Sequence, residues 1–184
     1  MEEKNKAWKT VSSKYLFRRP WLTVRCEDML LPNGNHIPEY YILEYPDWVN
    51  TIAITKEGKF VFVRQYRPGI GRTCYELCAG VCEKEDASPL VSAQRELWEE
   101  TGYGNGTWRE FMQISPNPGT HTNITYCFLA TDVEKISEQH LEDTESLSIH
   151  LLTLTEVKEL LEKGEIKQAL MAAPLWKYIA EKGL

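Results

Sequence analysis

Glu96, Glu99 and Glu100 stand at i, i+3 and i+4 beside Arg95, inside the stretch 80–103. On a helix this spacing puts the three carboxylates on one side, about one turn apart. Like charges at that spacing destabilise a helix, and Arg95 alone does not offset them. A hard divalent cation does. Mg²⁺, with Mn²⁺ as the alternative, takes oxygen ligands and is often bound through carboxylates together with substrate phosphates. The pattern points to metal-assisted chemistry; the plainer alternative is a solvated helix face of mixed charge.

Such chemistry needs a helix to carry the carboxylates and a scaffold to hold the helix. Ser88 is placed to cap a helix and Pro89 fits its first position. Leu90, Ala93 and Leu97 recur at three and four residues and form an apolar face, with the carboxylates off that stripe. Gly102 suits the left-handed residue that ends a helix, and Tyr103 can pack back on it.

Ahead of the helix, residues 8–18 and 21–31 read as strands parted by Arg19-Pro20. Asn33-Gly34 then marks a tight hairpin before a strand over 39–44. This predicts an N-terminal antiparallel extension over 1–45, too small to stand alone, ahead of a main domain over 46–184. Strands follow over 49–55 and 59–65. In the second, Val61 and Val63 alternate with Phe60 and Phe62, which predicts a central strand covered on both faces. A short strand over 73–77 leads into Ala79-Gly80. Beyond the helix the pattern predicts strands over 108–114, 123–130 and 148–153, an acidic loop over 134–144 and a short helix over 155–163. A last helix over 167–182 is broken or kinked by Pro174. The order of elements predicts a mixed α/β fold with helices packed on a sheet.

The 184 residues suit one domain, or one domain with a small appendage, and 42% hydrophobic with 26% charged residues is ordinary for a globular chain. The net charge of −6 argues against a partner such as long nucleic acid. A small nucleotide substrate stays open, because metal ions neutralise phosphate locally. The five cysteines include no C-x-x-C pair, so Cys74, Cys78 and Cys82 read as small buried thiols in a reducing compartment. No stretch approaches the ~18 apolar residues of a membrane span, and the charged opening lacks the apolar core of a secretory signal. A cytoplasmic protein with no membrane partner is the expectation.

From Gly80 onward the chain resembles the Nudix box, G-x5-E-x7-R-E-U-x-E-E-x-G-U, where U is a large apolar residue. Arg95, Glu96, Leu97, Glu99, Glu100, Gly102 and Tyr103 match its second half without a gap. The first half departs. Gly80 stands one residue farther from Arg95 than the pattern has it. The first glutamate of the pattern falls on Ala87 counted from Arg95, or on Asp86 counted from Gly80. This reads as a one-residue insertion in the loop before the helix, with the role of Asp86 open. Residues 63–67 and 76–80, Asn117-Pro118-Gly119 and the acidic run 142–145 look like the ADP-ribose pyrophosphatase branch of the family.

The resemblance implies a Nudix-type α/β/α sandwich around a mixed sheet, with an N-terminal antiparallel sheet that helps to form a homodimer. It implies hydrolysis of a nucleoside diphosphate joined to another moiety, ADP-ribose or a nucleotide sugar, to a nucleoside monophosphate and a sugar phosphate. Glu96 and Glu100 become the leading metal ligands. Glu99 is a further ligand or the group that orients the attacking water, and the Ala79 carbonyl completes the set. Arg95 orients a glutamate of the box. Glu145, with Glu142 and Asp143 as alternates, is the candidate base, against the plain reading of an acidic loop.

Arg64 and Arg67 are candidates for gripping phosphate. Their odd spacing turns them to opposite faces of a strand, so one of them is structural. Glu76 is a secondary ligand or, preferably, the partner of an arginine. Trp21, Tyr40, Tyr41 and Trp48 are candidates for stacking on a base, alone or across a dimer interface. Two other readings are a non-catalytic Nudix-like sensor of the same ligands and a Nudix enzyme acting on nucleoside triphosphates.

Overall fold

The structure, a computed structural model, describes residues 6–183, which divide into two compact units. The first holds the chain up to Pro46 together with Asn117–Asn123; the second holds Asp47–Pro116 and the chain from Ile124 onward.

In the first unit β1 (Lys9–Arg19), β2 (Leu22–Leu30) and β3 (His36–Glu44) form an antiparallel sheet in that order. Pro20 and Trp21 turn β1 into β2, and Trp21 adopts a left-handed φ of 63° there. The second turn closes through the Leu31 amide on the Asn35 carbonyl at 2.9 Å, with Gly34 at a φ of 86° that other residues rarely adopt. Every residue of β1 is exposed.

The second unit carries β4 (Trp48–Thr55), β5 (Phe60–Arg67), β6 (Arg72–Val81), α1 (Pro89–Thr101), β7 (Tyr103–Gly104), β8 (Thr107–Ile114), β9 (Thr125–Lys135), β10 (Leu147–Leu152), α2 (Leu154–Glu162) and α3 (Ala169–Lys182). Its sheet has seven strands in the order β10-β5-β6-β4-β9-β7, with β8 on β9. The β4–β9 pair is parallel and its other pairs are antiparallel, so the sheet is mixed.

Phe60, Val61, Phe62 and Val63 are all buried because β5 is covered on both faces. Phe60 and Phe62 pack with Leu77, with Val157 and Leu161 of α2, and with Met171 and Leu175 of α3. Val61 packs on the other side with Cys78, Leu97 of α1 and Val133. Helix α1 therefore covers one face and α2 with α3 the other, the expected α/β/α sandwich. No helix among the described residues is long and apolar enough to cross a membrane.

Several elements differ from expectation, three of them as follows. β6 runs on to Val81 because Cys78–Val81 pairs with the start of β4. β9 takes in Glu134 and Lys135, the start of the expected acidic loop, by pairing them with β7. α3 starts at Ala169 and stays continuous through Pro174. Proline has no N–H for the carbonyl four residues back, here that of Leu170. The Asn50 side chain of β4 supplies the donor instead, Nδ2 to the Leu170 oxygen at 2.8 Å.

Candidate active site

Helix α1 begins as its sequence directs. Ser88 Oγ accepts the Val91 amide at 3.4 Å, Pro89 opens the first turn, and Gly102 ends the helix at a φ of 68°. Its buried side holds Ser92, Ala93, Leu97, Glu100 and Thr101. Leu90 is exposed, a correction to the expected apolar face. A second correction concerns Glu100. It lies three residues after Leu97 on the buried side rather than off the stripe, and is 4% exposed.

That position sets its chemistry. Glu100 Oε2 accepts the Ala79 amide at 3.1 Å. Burial pushes its carboxyl up to about 8, and the charges of Glu96 and Glu145 add to the shift. Glu96 is also raised by burial, against the pull of Arg95. Glu96 lies so close to Gly80 that a Cβ built there would run into its carboxyl group. The glycine is what admits this side chain to the backbone.

Arg95 ties the region together. Its Nη1 donates to Glu96 at 3.0 Å and to Glu99 at 2.9 Å. Its Nη2 donates to Asp86 at 3.0 Å and to the Val81 carbonyl at 3.0 Å. The Arg95 hydrogen bond, foremost, holds Asp86 below the usual carboxylate range. Asp86 also accepts the Glu83 amide at 3.3 Å, and its own amide donates back to Glu83. Residues 83–86 thus form a turn, and Asp86 closes the loop onto Arg95.

Ala79 and Gly80 also line a cavity of about 530 Å³, whose walls include Trp48, Asn50, Arg67 and Glu76. Glu76 is 3% exposed and takes a fork from Arg67, Nε to Oε1 at 2.8 Å and Nη2 to Oε2 at 2.5 Å. This is the arginine-partner alternative. The Glu76 hydrogen bond raises Arg67, and Glu100 contributes, so Arg67 stands within electrostatic reach of the carboxylates. Arg64 is exposed, with its guanidinium 5.1 Å from the Tyr75 ring centre.

Glu145 is exposed on a turn in which its carboxylate accepts the Glu142 amide at 3.0 Å. Asp143 is exposed on the same turn. Of the aromatic candidates, Trp48 lines the cavity. Tyr40, Tyr41 and Trp21 belong to the first unit. There the Tyr40 hydroxyl donates to the Gly119 carbonyl, Tyr41 donates to Glu39 at 3.2 Å, and Trp21 is 76% exposed.

Sequence reasoning passed over Asn50 and Thr125, both buried and both in the cavity wall. Their only local signal is a polar residue inside a buried strand.

The sequence matches the NUDIX domain model over residues 45–173 and the model of a nucleoside diphosphate sugar hydrolase N-terminal domain over residues 8–43. The chain belongs to the NUDIX family. It is 32% identical to the ADP-ribose pyrophosphatase of Bacillus subtilis (strain 168), over 88% of this chain and 86% of that protein. It is 31% identical to the methanol dehydrogenase activator of Bacillus methanolicus, over 86% of this chain and 85% of that one. The crystal structure of an ADP compounds hydrolase matches with a TM-score of 0.82 over 96% of both chains at 20% identity, a likeness of fold.

NUDIX hydrolases generally need a divalent metal, and the donor chemistry here fits one. Two desolvated carboxyls, Glu96 and Glu100, flank backbone that Gly80 leaves open. Among the described residues no three acidic, histidine or cysteine side chains stand as a ready-made metal cage. Arg95 meanwhile occupies oxygens of Glu96 and Glu99.

Proposed function

We propose that this NUDIX protein cleaves the pyrophosphate bond of a nucleoside diphosphate joined to a sugar, ADP-ribose or a nucleotide sugar, to a nucleoside monophosphate and a sugar phosphate. One observation carries the reading: Ala79 and Gly80, the backbone against which Glu100 and Glu96 lie, line the same cavity as the Arg67–Glu76 fork. Glu96 and Glu100, with Glu99 and the Ala79 carbonyl, would hold a divalent cation such as Mg²⁺, which would neutralise charge developing on the phosphate oxygens.

The chain's own groups do the rest. Arg95 holds Glu96 and Glu99 in place. Arg67, charged and oriented by Glu76, offers its remaining N–H groups to a phosphate. Glu145 accepts a proton from the water that attacks phosphorus, the bridging P–O bond breaks, and the departing phosphate keeps the electron pair. Trp48 offers a ring to the base. Arg64, beside Tyr75, is the structural member of the arginine pair.

The same reading assigns residues 46–184 to catalysis and 1–45 to dimerisation. Exposed β1 carries Val11, Tyr15, Leu16 and Phe17, an apolar set suited to a second copy. Five free thiols fit a reducing cytoplasm.

The test is incubation with Mg²⁺ and a panel of ADP-ribose, sugar nucleotides, dinucleoside polyphosphates and triphosphates, with products identified by mass. Turnover of ADP-ribose or a sugar nucleotide is expected. Tight binding of one panel member without turnover of any would make the protein a sensor instead.

A further inference from the structure

We propose that Gln139 and His140 are positioning residues for the reaction: they tie the loop that carries Glu145 to the last turn of α1, which carries Glu99 and Glu100. The inference rests on the hydrolase reading above and extends it to residues outside the Nudix box.

An α-helix ends in carbonyls that have no donor within the helix. In α1 the Trp98 carbonyl is served locally, by the Gly102 amide at 2.7 Å. The carbonyls that follow are served by one segment from later in the chain. The Glu99 carbonyl accepts the His140 amide at 2.8 Å, and the Glu100 carbonyl accepts Gln139 Nε2 at 2.7 Å. The Thr101 carbonyl accepts Lys135 Nζ at 3.0 Å. The Gly102 carbonyl accepts the amides of Ile136 at 2.8 Å and Ser137 at 3.1 Å. The His140 ring stacks on Trp98, with ring centres 4.3 Å apart and an interplanar angle of 28°.

Gly102 by itself ends the helix, and water can serve exposed end carbonyls, so capping does not require this clamp. Its place in the chain supplies the reason. Lys135 ends β9, and His140 stands just ahead of the turn over 142–145. That turn is closed by the Glu145 amide on the Glu142 carbonyl at 3.0 Å and by the Glu142 amide on the Glu145 carboxylate at 3.0 Å. Just beyond it β10 begins, with Leu147 paired to Gln65 of β5. The Glu145 turn is therefore held from both sides, by α1 through Gln139 and His140 and by β5 through β10. After burial and Glu96, the Glu145 charge adds to the rise at Glu100, so the turn stands within electrostatic reach of the helix.

Backbone amides are present whatever the side chain. Gln139 is half-buried, and its bond falls on the carbonyl of Glu100 itself. It is the tie that a substitution can remove. A misplacement of about 1 Å costs a reaction on the order of a hundredfold, so a loosened turn should show in the chemical step.

The experiment compares the wild type with Gln139→Met, which keeps the length of the side chain and removes its donor. With ADP-ribose and saturating Mg²⁺, kcat should fall about tenfold and KM should change little, because the base acts in the chemical step. Gln139→Lys should recover most of the loss, since an ammonium can serve a helix-end carbonyl as Lys135 does at Thr101. The decisive comparison is made in a Glu145→Gln background, on its residual turnover. There Gln139→Met should lower kcat by less than about twofold, because the group it positions is gone. A loss that stays tenfold in that background would reduce Gln139 to a cap of α1 and overturn the inference, as would an unchanged kcat in Gln139→Met alone. Amide hydrogen exchange gives a readout without turnover. Gln139→Met should exchange about tenfold faster over 141–146, with the strands of the sheet unchanged. Equal rates over 141–146 would overturn the inference. A wild type that hydrolyses no member of the panel would sink the hydrolase reading, and the exchange rates would still decide whether Gln139 holds this loop.

Discussion

Glu100 concentrates the site's electrostatics in one carboxyl. Its folded value of about 8 lies well above the usual carboxylate range, because burial penalises the charged form. The sign follows directly: the fold favours the protonated acid, so this stabilisation is full below about pH 4.5 and is lost as pH rises towards 8. In EDTA, urea unfolding should therefore show a loss on the order of a few kcal/mol between about pH 5 and pH 8. A Glu100→Gln variant should flatten that slope, and a wild type without the slope would contradict the burial argument. The same variant should stay folded and lose turnover by about a hundredfold or more. Full activity in Glu100→Gln would remove the residue from the site.

At the scale of elements, α1 and the backbone of β6 are fitted to each other at Gly80. A Gly80→Ala variant pushes its new methyl into the Glu96 carboxyl, the movable end of a side chain, so the fold should survive. Activity should then require about tenfold more Mg²⁺ to saturate. A Mg²⁺ titration of turnover checks this, and an unchanged midpoint would mean that Glu96 need not lie against Gly80.

The same elements show what a local pattern can carry. The limits of α1 were legible because caps, proline and glycine act within a few residues. The grouping of the three carboxylates was legible because helical spacing is fixed, whereas the ranking of their roles came from the resemblance to the Nudix box. Asp86 was not legible, since one inserted residue allowed two registers and only the contact with Arg95 chooses between them. Asn50 left no usable trace, because the carbonyl it serves lies 120 residues away. Glu100 was misplaced off the buried stripe because a glutamate at the end of an apolar face reads as solvated until its cover is known.

For the molecule as a whole, the N-terminal sheet was legible from its turns. The exposure of β1 was not, since which strands of a sheet are covered depends on contacts outside the strand itself. Sedimentation should find a dimer at micromolar concentration, and Phe17→Lys should shift it towards monomer. A monomeric wild type would contradict dimerisation through this sheet.

The central claim, cleavage of a nucleotide–sugar pyrophosphate bond, is tested most directly with ADP-ribose and Mg²⁺ in ¹⁸O-labelled water. The account predicts AMP and ribose 5-phosphate in equal amounts, one ¹⁸O in the phosphate of only one product, and no reaction in EDTA. ADP-ribose and nucleotide sugars recovered intact, with Mg²⁺ in excess, would contradict it.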